Sequence, residues 1–280
     1  MLENLPFSNT LPETKLAIKA AMNASKFVKE IYNKDFTTSF KGNQEPITEA
    51  DIGSNKIIEN ILSTLGHPIL SEESSDKIEK RISSKKVWIV DPLDGTTDFV
   101  KKTGDFTIMI GLVDDHSPIM GVICQPIKNA LYIAQKGQGA FQSLSEGNWK
   151  PLKVSNTTEL IHCKAVGSRF HRSEIESEFM SDLGISKFTS RGSSMKVIDI
   201  CQAMAELYFT STNKMKQWDT CASFCIVSEA GGKMTDMAGQ ELKYNTKIVN
   251  HQNGILVTNG AIHQMVVDRF AKFMINVSHK

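Results

Sequence analysis

The sequence predicts an α+β fold, and three observations support that prediction. Two segments near the N-terminus, residues 12–32 and about 51–65, carry apolar residues at helical spacing. From Val87 to about residue 143 the apolar residues fall into short strand-like runs separated by turn signals. Beyond about residue 155, strands and helices alternate. We therefore expect an N-terminal α+β half, residues 1–155, and a C-terminal α/β half, residues 156–280.

The first helix is predicted over Pro12–Tyr32, because apolar residues recur along one stripe and Pro12 gives a start signal. A second helix begins near Asp51 and ends at Gly66, so Asp51 lies in its first turn. A short extended segment over residues 69–71 follows and leads into two adjacent glutamates.

The middle of the chain is predicted to form an antiparallel meander that packs on these two helices. Turns are expected at Asp114–Pro118 and Lys136–Gly139, and the first strand is expected to end at Asp91. In the C-terminal half, strands are expected near residues 165–168, 187–190, 207–210, 233–236 and 255–259, and helices near 173–183, 195–205 and 219–230.

Composition and charge exclude several classes of partner. The formal net charge of +1 gives no basic field for a nucleic-acid polymer, so a small molecule is the expected ligand. No run of about 18 apolar residues could span a membrane, and no N-terminal signal segment is evident, so we expect a cytoplasmic protein. The five cysteines are odd in number and form no C-x-x-C pair, which argues against disulfides and a zinc site.

The most informative segment, residues 87–99, reads V-W-I-V-D-P-L-D-G-T-T-D-F. A proline and a glycine turn the chain after a buried strand, and Asp91 and Asp94 lie on either side of the proline. Their carboxylates and the carbonyl of Leu93 can face one cation. Oxygen ligands of this kind suit Mg²⁺, and Mg²⁺ indicates phosphate chemistry.

Each acidic residue also has a local alternative. Asp91 and Asp94 can cap a turn, an adjacent glutamate pair such as Glu72 and Glu73 is typical of a solvated turn, and Asp219 can cap a helix. In haloacid-dehalogenase phosphatases, which form an aspartyl-phosphate, two aspartates lie two residues apart. Asp91 and Asp94 lie three residues apart, which argues against that class. An EF-hand loop is excluded because its D-x-[DN]-x-[DN]-G pattern is not met.

Four motifs occur in one order: P-I-T-E-A-D (46–51), S-E-E-S (71–74), W-I-V-D-P-L-D-G-T-T-D-F (88–99) and W-D-T-C-A-S-F-C-I-V-S-E-A-G-G (218–232). Their content and order resemble the inositol monophosphatase superfamily of magnesium-dependent, lithium-sensitive phosphatases. The resemblance implies a phosphoric monoester hydrolase. It also implies a layered α/β/α/β/α sandwich of the inositol monophosphatase and fructose-1,6-bisphosphatase type.

The resemblance further implies roles for the residues of these motifs. Two or three Mg²⁺ ions would be bound by Glu72, Asp91, the carbonyl of Leu93, Asp94 and Asp219. Asp51 and Thr96 would polarise the attacking water. Gly95, Thr96 and Asp219 would also contact the phosphorylated substrate, and no side-chain nucleophile is then required.

Two further segments, V-G-S-R-F-H (166–171) and S-R-G-S-S-M-K (190–196), resemble nucleotide-binding segments of the 3'(2'),5'-bisphosphate nucleotidase branch. The resemblance implies that the nucleotide is contacted by Ser168, His171, Gly192 and Lys196. Lys196 and His171 could supply a second anion site. Arg169 and Arg191 lie beside these residues without an assigned role.

The expected reaction is removal of the 3'-phosphate of adenosine 3',5'-bisphosphate by a metal-activated water, which gives AMP. Two alternatives stay open. An inositol-1-phosphate phosphatase or a fructose-1,6-bisphosphatase would use the same motifs, and a catalytically silent protein could bind Mg²⁺ or nucleotide without turnover. A homodimer is compatible with the sequence, which does not indicate the oligomeric state.

Overall fold

The structure, a computed structural model, describes residues 4–42, 45–144, 147–170 and 173–278. Its helices within these ranges are α1 Pro12–Tyr32, α2 Glu49–Leu62, α3 Ile78–Ile82, α4 Thr96–Val100, α5 Glu174–Asp182, α6 Met195–Cys201, α7 Gln217–Glu229 and α8 His263–Ser278. The strands of the N-terminal part are β1 Thr38–Phe40, β2 Pro46–Thr48, β3 Ile69–Ser71, β4 Lys86–Asp94, β5 Thr107–Asp114, β6 Ser117–Gln125, β7 Ala130–Gln135, β8 Ala140–Ser143 and β9 Trp149–Pro151. Those of the C-terminal part are β10 Lys164–Ser168, β11 Lys187–Arg191, β12 Leu207–Thr210, β13 Lys233–Thr235 and β14 Ile255–Thr258.

Two large sheets organise these strands. The seven-stranded sheet has the order β3-β4-β5-β6-β7-β8-β9, in which only the β3–β4 pair is parallel. The five-stranded sheet has the order β11-β10-β12-β14-β13 and is mixed, because β10 runs parallel to both of its neighbours while β14 is antiparallel to both of its own. Strands β1 and β2 form a separate hairpin.

The core consists of three apolar clusters that lie between five layers of helices and sheets. One of the clusters contacts both sides of the middle helix layer. Residues of β4 alternate between faces, so Trp88 and Val90 pack toward α1 and α2 while Val87 and Ile89 pack toward α7. The second cluster joins α6 and α7 to the facing side of the five-stranded sheet. The third covers the other side of that sheet with α5 and α8, around Phe179. The predicted α/β/α/β/α layering is confirmed.

Helix α7 is apolar around most of its circumference because it lies between the two sheets. Glycines let it approach the seven-stranded sheet. A Cβ atom on Gly121 of β6 would lie 2.4 Å from the carbonyl oxygen of Ala222, and one on Gly111 of β5 would lie 2.4 Å from Sγ of Cys221. The absence of side chains at these two positions therefore sets the distance between helix and sheet.

The predicted bounds of α1 are confirmed, and α2 begins two residues before Asp51. Two predictions were wrong. Strand β4 continues through Asp91 to Asp94, and α6 ends at Cys201 instead of reaching residue 205, because the chain turns at Ala203 with a φ of 58°. The prediction also lacked α8 and the β1–β2 hairpin. The division into halves at residues 155 and 156 stays a prediction.

No helix within the described ranges is both long and apolar enough to cross a lipid bilayer.

Replacing Gly121 by alanine should lower the free energy of unfolding by about 1 to 3 kcal/mol, the usual cost of overpacking a core. The new methyl group would meet a backbone carbonyl, which cannot move aside without shifting α7. Urea denaturation measures the effect. Gly42→Ala is the matched control, since nothing lies within 4 Å of a Cβ atom there. Equal stability of the two variants would contradict this account of the packing.

Candidate active site

A bulge in β4 brings two of the predicted metal ligands onto one face. Asp91 pairs with Met109 and Asp94 pairs with Thr107, so three steps along β4 match two along β5. Residues three apart on a regular strand point to opposite faces, and the extra residue of a bulge restores the same face. The amide of Leu93, inside the bulge, donates a hydrogen bond to Oδ1 of Asp91 at 3.0 Å.

Four predicted ligands, Glu72, Asp91, Asp94 and Asp219, line one cavity. Glu72 directly follows β3, and its amide donates to the carbonyl of Val90 at 3.2 Å, which continues the parallel pairing. Asp219 lies in the first turn of α7, where its Oδ2 accepts a hydrogen bond from the amide of Lys216 at 2.7 Å. Glu72 and Asp219 are 147 positions apart in sequence. They line the same cavity because α7 packs against β4.

The acidic side chains destabilise one another's ionised form. Burial raises the pKa of Asp91 well above its usual value, and the charges of Glu72, Asp94 and Asp219 raise it further. The pKa of Asp219 is raised in the same way, first by burial and then by Glu72 and Asp94. Burial also raises the pKa of Asp94 to about 6, although Lys196 and the amide of Ser194 oppose the rise. The cluster therefore lacks sufficient positive charge of its own.

Two lysines provide part of that charge. Lys196 is buried, donates to the carbonyl of Ser193 at 2.6 Å, and has its pKa lowered by burial against the opposing effect of nearby aspartates. Lys41, just after β1, forms ion pairs with Glu72 at 2.9 Å and with Glu73 at 2.5 Å. No sequence motif indicates Lys41, because the glutamates that it contacts lie more than thirty residues away.

The donor set fits a hard divalent cation, since it consists of carboxylate oxygens and the Leu93 carbonyl. Within residues 4–42, 45–144, 147–170 and 173–278, no group of three or more His, Cys, Asp or Glu side chains is already arranged to hold a metal. The carboxylates instead satisfy protein donors: Glu72 pairs with Lys41, Asp91 accepts from Leu93, and Asp94 accepts from Ser194 at 2.6 Å. Binding an ion would require some of these carboxylates to turn.

The two predicted catalytic residues are hydrogen-bonded to each other. The hydroxyl of Thr96 donates to Oδ1 of Asp51 at 2.9 Å, and Oδ2 of Asp51 accepts from the amide and the hydroxyl of Thr48. Asp51 is 2% exposed, and burial raises its pKa while the three hydrogen bonds oppose the rise. Thr96 lines the cavity, so the pair connects the cavity surface to a buried carboxylate.

A loop over residues 192–194 closes one side of the site. The close approach requires glycine: a Cβ atom on Gly192 would lie 2.3 Å from Oδ2 of Asp98, and one on Gly95, where φ is 91°, would lie 3.1 Å from Cβ of Ser193. The amide and hydroxyl of Ser194 bond to Asp94 and to Thr107. Gly95 and Gly192 therefore have a packing role in addition to lining the cavity.

Arg169 and Arg191 had no role assigned from the sequence. They connect the 192–194 loop to α4 and to the residues that follow it. Arg169 pairs with Asp98 and, at 2.8 Å, with Asp105. Arg191 pairs with Asp105 and Asp199, each at 3.0 Å. Asp105 therefore bridges Arg169, which directly follows β10, and Arg191, the last residue of β11. Sequence reasoning missed Asp105 because no local pattern marks such a residue.

Apolar side chains line the same cavity as the acidic residues. Its volume is about 720 Å³, within the range of small-molecule sites. Phe170, Met180 and Phe188 belong to this lining, as do two of the predicted nucleotide contacts, Ser168 and Lys196. His171, the other predicted nucleotide contact, lies outside the described residues.

A model of the inositol monophosphatase family matches residues 10–273. The chain belongs to this family. The 3'(2'),5'-bisphosphate nucleotidase CysQ of Escherichia coli K12 is 34% identical to this chain over 233 residues. The match covers 81% of this chain and 92% of that protein. The predicted family and the predicted class, an enzyme that hydrolyses phosphate esters, are confirmed.

Solved structures of the family agree. CysQ from Bacteroides thetaiotaomicron, a bacterial member of the inositol monophosphatase family, superposes with a TM-score of 0.77 at 30% identity, covering 88% of this chain and 97% of that one. An IMPase from Thermotoga maritima gives a TM-score of 0.81 at 22% identity, covering 95% and 100%. The second comparison shows the shared fold alone.

Burial of Asp94, together with the neighbouring negative charges, predicts a pH-dependent stability. An unfolded aspartate ionises near pH 4, whereas Asp94 in the folded protein ionises near pH 6. The folded state therefore loses stability as pH rises through this window, because the unfolded state releases its proton first. Without metal, Asp94→Asn should become progressively more stable than the wild type between pH 4 and pH 6.

Thermal unfolding of both proteins across this pH range measures the difference. Millimolar Mg²⁺ should raise the Tm of the wild type more at pH 7.5 than at pH 5, and sodium chloride at matched ionic strength is the control. A difference between the two proteins that stays constant over pH would contradict the assignment.

Proposed function

We propose that this phosphatase is a Mg²⁺-dependent 3'(2'),5'-bisphosphate nucleotidase that converts adenosine 3',5'-bisphosphate to AMP. The supporting observation is the cavity of about 720 Å³, whose lining combines the four carboxylates with apolar side chains and whose volume is large enough to accept a nucleoside. The Escherichia coli relative CysQ carries this activity in its name and matches most of the chain.

Glu72, Asp91, Asp94, Asp219 and the Leu93 carbonyl would hold two or three Mg²⁺ ions. When bound, the ions supply a water of lowered pKa and positive charge for the phosphate oxygens. This charge would replace the missing counter-charge of the cluster, which explains why the protein tolerates several carboxylates around one cavity. The displaced amide and ammonium donors, such as Lys41, would then be released from the carboxylates.

Asp51 and Thr96 would orient the attacking water and accept its proton. Thr96 Oγ1 gives its own hydrogen to Asp51, so its lone pairs are left to accept a hydrogen bond from a water in the cavity. The proton can pass through Thr96 to Oδ1 of Asp51. Because burial raises the pKa of Asp51, the carboxylate is a stronger base than a solvated aspartate.

The apolar side chains of the cavity lining distinguish this proposal from the alternatives within the family. A nucleoside can place its base against Phe170, Phe188 and Met180. Inositol and sugar phosphates present hydroxyl groups instead and would leave this apolar surface in contact with water. Every position predicted to bind metal carries an oxygen donor, which favours an active enzyme over a silent binding protein.

A substrate comparison tests the proposed function. We expect kcat/KM for adenosine 3',5'-bisphosphate to exceed that for inositol 1-phosphate and for fructose 1,6-bisphosphate, at equal Mg²⁺ and ionic strength. Phosphate release measures all three, and a reaction without Mg²⁺ is the control. Higher kcat/KM for either of the other two substrates would reject the nucleotidase assignment.

Asp94→Asn should lower kcat on the order of a thousandfold, because a metal site that stabilises several kcal/mol of transition-state charge loses a charged ligand. Asparagine keeps an oxygen that can accept from the amide of Ser194, so the loop remains in place. Asp114→Asn, at the opposite end of the β4–β5 pair, is the matched control and should keep wild-type kcat. An unchanged kcat in Asp94→Asn would overturn the metal-binding role.

A further inference from the structure

Glu72 lies in a short turn, residues 71–74, that follows β3 directly. Two long backbone hydrogen bonds hold this turn, from the amide of Glu72 to the carbonyl of Val90 at 3.2 Å and from the amide of Ser74 to the carbonyl of Ser71 at 3.4 Å. The carboxylate of Glu72 can turn from Lys41 towards an ion. How far it reaches depends on where the backbone of the turn lies.

The side chain of Asn55, on α2, connects the two ends of this turn. Its amide oxygen accepts a hydrogen bond from the hydroxyl of Ser71 at 2.6 Å, and its NH₂ group donates to the hydroxyl of Ser74 at 2.8 Å. Ser74 in turn donates to Oε1 of Glu59 at 2.7 Å. Asn55 is 7% exposed, so water competes little for its bonds. Glu72 is therefore flanked on both sides by serines that one buried side chain holds.

The chemistry of these contacts suits an asparagine. The hydroxyl of Ser74 has a single hydrogen, which Glu59 accepts, so residue 55 has to donate to Ser74. The same side chain accepts from Ser71. An amide performs both tasks, whereas an aspartate carboxylate only accepts and an alanine does neither.

Helix α2 holds other parts of the site from the same side. Asp51 lies one turn before Asn55 and accepts a hydrogen bond from Thr96. The hydroxyl of Ser54 donates to the carbonyl of Pro92 at 2.7 Å, inside the bulge of β4. Three residues of one helix thus fix the start of α4, the bulge and the turn after β3. Asn55 supplies the contact to the turn.

We propose that Asn55 is a positioning residue, which fixes Glu72 for metal binding by holding the turn on both sides of it. The inference rests on the proposed function, in which Glu72 binds Mg²⁺. Without the amide of Asn55 the backbone hydrogen bonds of the turn remain, so β3 still pairs with β4 while Glu72 samples a wider range of positions. The consequence is a weaker affinity for metal in a protein that keeps every metal ligand.

Metal affinity in the absence of substrate tests this role. During a titration of the protein with Mn²⁺, electron paramagnetic resonance measures the free ion, and competition in the same samples gives the Kd of Mg²⁺. We expect Asn55→Ala to raise both Kd values about tenfold, the lower end of the effect of residues that orient metal ligands. Because the ligands are retained, kcat at saturating Mg²⁺ should stay within about threefold of the wild type.

Two further variants make the test specific. Ser74→Ala removes half of the connection at a partly buried position, so it should weaken metal binding in the same direction even if Asn55→Ala folds poorly. Adding Asn55→Ala to Ser74→Ala should cost less affinity than Asn55→Ala costs alone, because both side chains act through one connection. Asn60→Ala removes an exposed asparagine from the same helix and is the matched control, with wild-type affinity expected.

The outcomes separate this role from the proposed function. If Asn55→Ala and Ser74→Ala lower the Tm but bind both ions as the wild type does, Asn55 only stabilises the fold. Its positioning role is then overturned and the nucleotidase function stands. A fall in kcat at saturating Mg²⁺ without a change of affinity overturns the role as well. If Glu72→Gln leaves the affinity for both ions unchanged, Glu72 is not a ligand, and the metal assignment within the proposed function fails together with the role of Asn55.

Discussion

The site depends on one electrostatic constraint: four carboxylates, one buried and three partly buried, line the same cavity. Burying like charges is costly, and proteins accept the cost when a cation or strong hydrogen bonds compensate. Here Lys41, Lys196 and several backbone amides compensate in part, and the raised pKa of Asp91, Asp94 and Asp219 shows that the compensation is incomplete. The remaining imbalance is what makes the site receptive to divalent ions.

The same constraint explains the surrounding architecture. The acidic residues come from the end of β4, the turn after β3 and the start of α7, so their separation is set by how the layers pack. Gly111 and Gly121 fix the approach of α7, and the bridge from Arg169 through Asp105 to Arg191 fixes the approach of the 192–194 loop. Packing far from the chemistry therefore controls the spacing of the charges.

Local pattern predicted much of this from the sequence. The stripe of α1, the strand before Asp91 and the turns of the meander follow from periodicity and turn residues, which act over a few positions. The resemblance of four motifs then indicated the acidic residues that line the cavity. It could not indicate Lys41 or Asp105, whose ion pairs join residues far apart in sequence and leave no periodic signal. The bulge in β4 was missed because pairing register depends on the neighbouring strand.

Helix α7 has one more consequence. Its residues belong to the same apolar cluster as Ile123 of one sheet and Val257 of the other, so the two sheets share a single core. A hinge motion that separated the two sheets would disrupt this shared core and expose its side chains to solvent. Ligand exchange is thereby confined to side chains and short rim segments, and the interior scaffold stays rigid throughout turnover.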